Sequence, residues 1–107
     1  MWKEIGVTAN ISTASTSEII AAGRRGDNQV TIMAATYSTG DPGHALADFD
    51  TRSDGFFRPV DKKIDELLDK GSAAYDTAER AAVYEELQDY IYHQYYMIGV
   101  ANKTVNY

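Results

Sequence analysis

The sequence predicts an α/β fold, built as a small mixed sheet with a βαβ unit, a helical hairpin and a final strand. Three observations lead to this prediction. Residues 5–11 and 29–37 are rich in β-branched and apolar side chains, which is typical of strands. Between them, Ser15 and Glu18 have the spacing of a capping box, which indicates the start of a helix. Residues 60–95 carry apolar side chains at helical spacing in two consecutive stretches.

The βαβ unit comes first along the chain. Residues 5–11 alternate between apolar and polar side chains, whereas residues 29–37 are nearly all apolar or β-branched, which suits a strand covered on both faces. The helix between them is predicted to end at Gly26, its C-cap. Such a unit is normally right-handed and joins parallel strands. Residues 95–107 alternate loosely and are predicted to form the final strand, with an extended tail as the alternative.

The helical hairpin is the most regular part of the pattern. Asp76 followed by Glu79 predicts an N-cap and a capping-box pair, which divide residues 60–95 into two amphipathic helices. The apolar stripe of the first helix consists of Val60, Ile64, Leu67, Leu68 and Tyr75, and that of the second consists of Val83, Leu87, Tyr90 and Ile91. Further tyrosines predicted to pack in the core or at its boundary are Tyr84, Tyr92, Tyr95 and Tyr96. Residues 39–59, before the hairpin, have no clear period and are predicted to form a long loop.

Composition limits the classes of function. Residues 1–107 fit a single domain and carry a net charge of −6. No basic stripe is available to neutralise phosphates, so nucleic acid and anionic membranes are not expected partners. With no cysteine and only His44 and His93, no preformed metal site and no cofactor are expected. No nucleophile motif or phosphate loop is present, so the chain is not expected to be an enzyme.

The hairpin contains the string ID-LLD…D…R…Y-ELQ-I between Ile64 and Ile91. This string resembles the C-terminal part of the family 5 extracellular solute-binding proteins, which are the peptide, dipeptide and nickel receptors of ABC importers. The resemblance implies that the chain is part of one lobe of a periplasmic-binding-protein-like fold. It also implies binding of an oligopeptide or another small solute and its delivery to an ABC permease. The expected location of such a receptor is the periplasm or the cell surface.

The resemblance covers only the last portion of the family members, which are several times longer than this chain. The first residues show no signal-peptide pattern. We therefore expect the chain to be a C-terminal fragment of a longer receptor. A fragment without the rest of its lobe exposes apolar surface, so the isolated chain is expected to self-associate as a dimer or higher oligomer.

Residues 26–42 resemble a second segment of the family, G-D-x-D, then a hydrophobic strand, then G-W-x-x-D-Y-x-D-P. In the ungapped alignment, Ala35 replaces the tryptophan, and Ser38 replaces the aspartate that pairs with the peptide's α-ammonium group. Serine accepts a hydrogen bond but cannot neutralise a cation. In an alignment with a short gap, Tyr37 takes the aromatic position and Asp41 lies near the acidic one. Both alignments remain open.

The predicted ligand-binding residues are Tyr37, Ser38, Thr39 and Asp41. They follow the second predicted strand, and ligands of open α/β sheets bind beyond the carboxyl ends of the strands. The structural alternative for this segment is a simple turn ahead of Pro42. The alternative function for the chain is a solute-sensing or interaction domain of a cytoplasmic regulator.

Overall fold

The computed structural model describes residues 2–27, 29–32, 39–53, 57 and 61–100. Within these residues lie the α-helices α1 (Thr16–Arg25), α2 (Pro42–Leu46), α3 (Lys62–Ala73) and α4 (Thr77–His93). The same residues include short 3₁₀ helices at Trp2–Ile5 and Ala47–Phe49. No helix in the described part of the chain is both long enough and apolar enough to cross a membrane.

The prediction of an α/β fold is wrong, because the described residues contain helices and no β-strand. The first predicted strand begins instead in the 3₁₀ helix Trp2–Ile5, and the amide of Val7 bonds back to the Trp2 carbonyl at 3.0 Å. Further along, Ile11 is 90% exposed and Val30 is 70% exposed. Residues 33–37 of the second predicted strand lie outside the described residues.

The physical reason for this error is that a strand needs a partner. An alternating or β-branched pattern indicates that a segment would fit a sheet, but the backbone hydrogen bonds of a strand must come from a second strand. Residues 7–11, 29–32 and 97–100 have no such ladder within the described chain. The predicted βαβ unit and the final strand are therefore absent there, and residues 101–107 lie outside the described residues.

Helix α1 is capped at both ends as its sequence predicts. Glu18 N donates to Ser15 Oγ, and Ser15 N donates to Glu18 Oε2 at 2.9 Å, so both halves of the capping box are present. The helix ends at Gly26, whose φ of 74° is left-handed, and the Gly26 amide donates to the Ala22 and Gly23 carbonyls. Neither α1 nor the 3₁₀ helix Trp2–Ile5 contains a buried residue, and neither contacts the other described helices.

Helices α3 and α4 pack against each other and form the centre of the structure. Asp61 caps α3 by accepting a hydrogen bond from Lys63 N at 3.0 Å. Asp76 caps α4 by accepting from Ala78 N and Glu79 N, which confirms the predicted N-cap. Among the described residues, the return bond from Asp76 N to the Glu79 side chain that a capping box requires is not present. Only a short connection separates the two helices, which favours side-by-side packing of sequence neighbours.

The hydrophobic core lies between α3, α4 and the short helices that precede them. Its buried members are Leu46, Phe49, Ile64, Leu67, Leu68, Val83, Tyr84, Leu87 and Ile91. Most of the predicted stripe residues are among them, but Tyr75 follows the end of α3 and is fully exposed, and Val60 lies outside the described residues. Of the other tyrosines predicted to pack, Tyr84 is buried, whereas Tyr92, Tyr95 and Tyr96 are exposed.

Part of the predicted long loop, residues 39–59, is helical and contributes to this core. Leu46 at the end of α2 is 6% exposed and Phe49 in the second 3₁₀ helix is 2% exposed. The Phe49 ring stacks on Phe57 with their centroids 4.8 Å apart. These core residues are not predictable from the sequence pattern, because a helix of one turn is too short to show a period.

An ion-pair network fastens the end of this segment to α3. Arg52 pairs with Asp69 at 2.8 Å and with Asp50 at 3.0 Å, while Thr51 donates to Asp65. Hydrogen bonds from Arg52 hold the pKa of Asp69 and that of Asp50 below their usual range. These contacts join residues 50–52 to Asp65 and Asp69 within α3, whereas the first residues of α2 contact a different set of partners.

Candidate functional site

The structure describes two of the four predicted ligand-binding residues. Thr39 and Asp41 lie at the start of α2 and are exposed, whereas Tyr37 and Ser38 lie outside the described residues. The two alignments that place either Ser38 or Asp41 at the amine-binding position are therefore both still predictions.

Asp41 is the N-cap of α2. Its Oδ1 accepts a hydrogen bond from Gly43 N at 2.8 Å, and its backbone is extended, with φ −86° and ψ 117°. The extended backbone follows from Pro42, because the proline ring disfavours the helical region for the residue before it. One carboxylate oxygen of Asp41 is thus committed to capping α2.

The second carboxylate oxygen of Asp41 faces α4. Arg80 Nη2 donates to Asp41 Oδ2 at 2.6 Å, which joins the first residues of α2 to the first turns of α4. The side chains remain partly solvated, with 37% of Arg80 and 45% of Asp41 exposed. Sequence reasoning missed Arg80 as a partner of the candidate site, because the two residues are 39 positions apart and no local pattern joins them.

Tyr84 lies directly beneath this ion pair and determines how closely α2 approaches the hairpin. The Arg80 guanidinium carbon is 5.3 Å from the centre of the Tyr84 ring, within the range of a cation–π contact. The ring is 2% exposed and lies in a space left by two glycines, Gly43 and Gly71. A Cβ atom on Gly43 would lie 2.5 Å from the Tyr84 hydroxyl oxygen, and one on Gly71 would overlap the ring itself.

Thr39 contributes a second polar contact at the same end of α2. Its Oγ1 lies 2.8 Å from His44 Nδ1, so the hydroxyl and the imidazole share a hydrogen bond. Thr39, His44, Asp41 and Arg80 together form an exposed edge at the start of α2. This edge presents a hydroxyl, an imidazole, a carboxylate and a guanidinium, a set that can donate and accept hydrogen bonds with a small polar ligand. In the part of the chain that the structure describes, no group of three or more histidine, aspartate or glutamate side chains could hold a metal ion.

A second polar cluster lies at the other end of the hairpin. Asp61 Oδ2 accepts from the hydroxyls of Tyr90 at 2.9 Å and Tyr96 at 3.2 Å. Desolvation raises the pKa of Asp61, but the bonds from Tyr90, the Lys63 amide and Tyr96 outweigh it, so the pKa is lowered. The pKa of Tyr90 is raised mainly by its bond to Asp61. This cluster contains none of the predicted ligand-binding residues, and it ties the start of α3 to the end of α4.

Comparison with known proteins gives one informative match. No family model matches the chain, and no solved structure matches it. The chain is 28% identical over 106 residues to the probable di/tripeptide-binding protein 5 of Pseudomonas aeruginosa (strain UCBPP-PA14). The aligned region covers 94% of this chain but only 20% of that protein, so the chain spans about a fifth of its relative's length. The match supports a distant relationship to the solute-binding proteins.

Proposed function

We propose that this chain forms part of a solute-binding protein that captures small peptides for import through an ABC permease. The observation that carries the proposal is the 28% identity over 94% of the chain to a di/tripeptide-binding protein. The resemblance of the hairpin string to the peptide receptors points in the same direction. The proposed role is binding without catalysis, in the periplasm or at the cell surface, and it needs no cofactor.

In this proposal the ligand meets the segment 37–41 at the start of α2. Thr39 and Asp41 supply hydrogen-bonding groups on an exposed edge that α4 holds in place through Arg80. A dipeptide has an ammonium group, a carboxylate and a peptide group, all of which need polar partners when water is removed from them. The hydroxyl, imidazole and guanidinium groups of this edge are partners of that kind.

The test is a binding measurement on the native protein, isolated from its cells with an antibody against the hairpin. Its intact mass is measured first, and it is then titrated calorimetrically with L-alanyl-L-alanine, with the tripeptide and with free alanine. We expect a polypeptide several-fold heavier than 11.8 kDa that binds the peptides saturably and free alanine weakly. A native 107-residue protein that binds no peptide would contradict the proposal and favour an interaction domain of a cytoplasmic regulator.

A pair of matched variants locates the ligand. Thr39→Val removes the hydroxyl that contacts His44 and keeps the shape of the side chain. Thr77→Val makes the same change at an exposed threonine at the start of α4. If the ligand meets the edge at Thr39, peptide affinity falls in the first variant, by about 1 kcal/mol for one lost hydrogen bond, and is unchanged in the second. Equal affinities in both variants would place the peptide elsewhere.

Self-association of the isolated chain is a further part of the proposal. The 107 residues alone leave several large apolar side chains exposed, among them Ile5 at 76%, Ile32 at 83% and Val100 at 82%. Apolar surface of this kind favours association with a second copy. Light scattering across a concentration series is expected to give a mass of at least a dimer, and a constant mass of 11.8 kDa would contradict it.

A further inference from the structure

We propose that Arg80 is the positioning residue of the candidate site, and that its pairing with Asp41 excludes this aspartate from binding a ligand's ammonium group. The geometry that leads to this inference is the double use of one carboxylate. Asp41 Oδ1 accepts from the amide of Gly43 inside α2, and Asp41 Oδ2 accepts from Arg80 on α4. A single side chain therefore joins the start of α2 to the hairpin.

The guanidinium of Arg80 is itself held in place. It lies 5.3 Å from the centre of the Tyr84 ring, and that ring is buried between α3 and α2 in the space left by Gly71 and Gly43. The order of contacts runs from the core outward, from Tyr84 to Arg80 and then to Asp41. Thr39 bonds to His44 within the same turn of chain, so the Arg80 contact reaches Asp41 inside this group of exposed polar residues.

The same contact sets the charge that a ligand would meet. An ammonium group placed on Asp41 would lie beside the Arg80 guanidinium, whose Nη2 is only 2.6 Å from the carboxylate oxygen. Like charges at such a distance repel each other, and the carboxylate is already neutralised by its partner. This part of the inference rests on the proposed peptide-binding function, whereas the positioning of α2 by Arg80 does not.

The positioning role is tested without any ligand, by amide hydrogen exchange on the folded chain. The reporters are the His44 amide, which bonds to the Asp41 carbonyl, and the Ala47 amide, which bonds to the Gly43 carbonyl. Arg80→Gln is expected to raise their exchange rates by up to about fivefold, the factor that corresponds to a surface ion pair, and to leave the amides of α3 unchanged. Arg80→Lys, which keeps the charge, is expected to restore part of the protection.

Three further variants make this result specific. Asp41→Asn keeps an N-cap residue but loses the charge, so it should raise exchange as Arg80→Gln does, and the double variant should add nothing further. Lys63→Gln removes a positive charge from α3, where Lys63 pairs with Glu86 at 3.6 Å, and should leave the α2 amides unchanged. The positioning role would be overturned if neither Arg80→Gln nor Asp41→Asn changed the exchange rates of the α2 amides. It would also be overturned if exchange increased equally throughout α3.

The exclusion of the ammonium group is tested on the native peptide-binding protein. The probes are L-alanyl-L-alanine and its N-acetyl derivative, which lacks the ammonium charge. We expect Asp41→Asn to change the ratio of their affinities by less than twofold. A tenfold fall in the preference for the free dipeptide would show that Asp41 binds the ammonium group and would overturn the inference. If neither probe binds to any variant, the proposed function fails, and the exchange experiment still decides the positioning role.

Discussion

Residues 2–32 and residues 39–100 differ in whether their apolar side chains are buried. In α3 the side chain of Ile64 is 0% exposed, whereas in the first region the side chain of Ile11 is 90% exposed. Every buried apolar residue that the structure describes belongs to the second region, between Leu46 and Ile91. The two regions are similarly rich in apolar residues, so composition does not explain the contrast.

The difference lies in where each segment finds its partner. An amphipathic helix satisfies its own backbone and needs only a neighbouring apolar stripe, which α3 and α4 provide for each other across a short connection. The segments around Ile11 and Val30 have strand-like sequences, and a strand needs a second strand for both its hydrogen bonds and its apolar face. The described chain supplies no such partner, so these side chains remain in water.

Identical truncations in the two regions give the largest expected difference. Ile64→Ala is expected to lower the free energy of unfolding by about 2–5 kcal/mol, because it leaves a cavity in a closely packed site. Ile11→Ala removes the same atoms from an exposed position and should change it by less than about 0.5 kcal/mol. Urea unfolding followed by circular dichroism measures both, and equal losses would mean that Ile11 is also packed in solution.

Gly71→Ala tests the tightest contact of the core region. Alanine is the better helix former, yet its methyl group would overlap the buried Tyr84 ring. We expect a net loss of about 1–3 kcal/mol in the free energy of unfolding, measured in urea. Gly40→Ala is the control, since nothing lies within 4 Å of its added Cβ, and it should be close to neutral. A stabilising effect of Gly71→Ala would show that Tyr84 can move aside.

The pH dependence of stability should also differ between the regions. The pKa of Asp61 is lowered in the folded state, so its contribution is fully present above its unfolded pKa of about 4 and is lost as the pH falls through the folded value. Asp61→Asn should flatten the acid side of the stability curve and cost about 1 kcal/mol near neutral pH. Urea unfolding between about pH 2 and pH 6 measures this.

Glu18 in α1 is the comparison for Asp61. Its pKa is also lowered, by hydrogen bonds from the Ser15 side chain and backbone, but α1 has no buried residue. Titration of Glu18 should therefore change the helicity of α1 and leave the cooperative unfolding of the hairpin unchanged. If Glu18→Gln and Asp61→Asn alter the acid unfolding curve equally, the two regions unfold as one unit.

The smallest expected effect concerns backbone strain after α4. Tyr95 has a φ of 58°, in the left-handed region, and its side chain is 81% exposed. Glycine adopts this conformation without steric cost, although it loses more backbone freedom on folding. Tyr95→Gly is expected to raise the free energy of unfolding by about 0.5 kcal/mol. In the first region, Gly26 already occupies a left-handed position with a φ of 74°, so Gly26→Ala should instead weaken α1.

The same contrast explains which parts of the fold could be predicted from the sequence. The capping box at Ser15 and Glu18 and the N-cap at Asp76 depend on neighbours within one turn, and the structure contains all of these contacts. The strand predictions required a partner that the pattern itself cannot supply. Leu46 and Phe49 were missed because their helices are too short to show a period, although both are buried.

For the candidate site, the sequence indicated residues but not their partners. Asp41 is predicted as a site residue because it follows the second predicted strand and lies near the acidic position of a family segment, and both features are local. Its ion pair with Arg80 joins residues 39 positions apart and depends on how α2 packs against the hairpin. A contact of this kind follows from tertiary structure alone. The sequence therefore could not show that the negative charge of Asp41 is paired with the positive charge of Arg80.

The short connection between α3 and α4 has a consequence for the order in which the chain folds. Contacts between neighbouring segments close small loops, and proteins dominated by such contacts fold within microseconds to milliseconds. During synthesis, however, residues 2–32 leave the ribosome before the hairpin, which contains most of the core and follows after a few seconds of translation. For that interval the strand-like segments around Ile11 and Val30 are present without the hairpin, and they are still exposed once it has folded. Folding of the hairpin therefore covers its own apolar residues, whereas these two segments stay accessible to a chaperone.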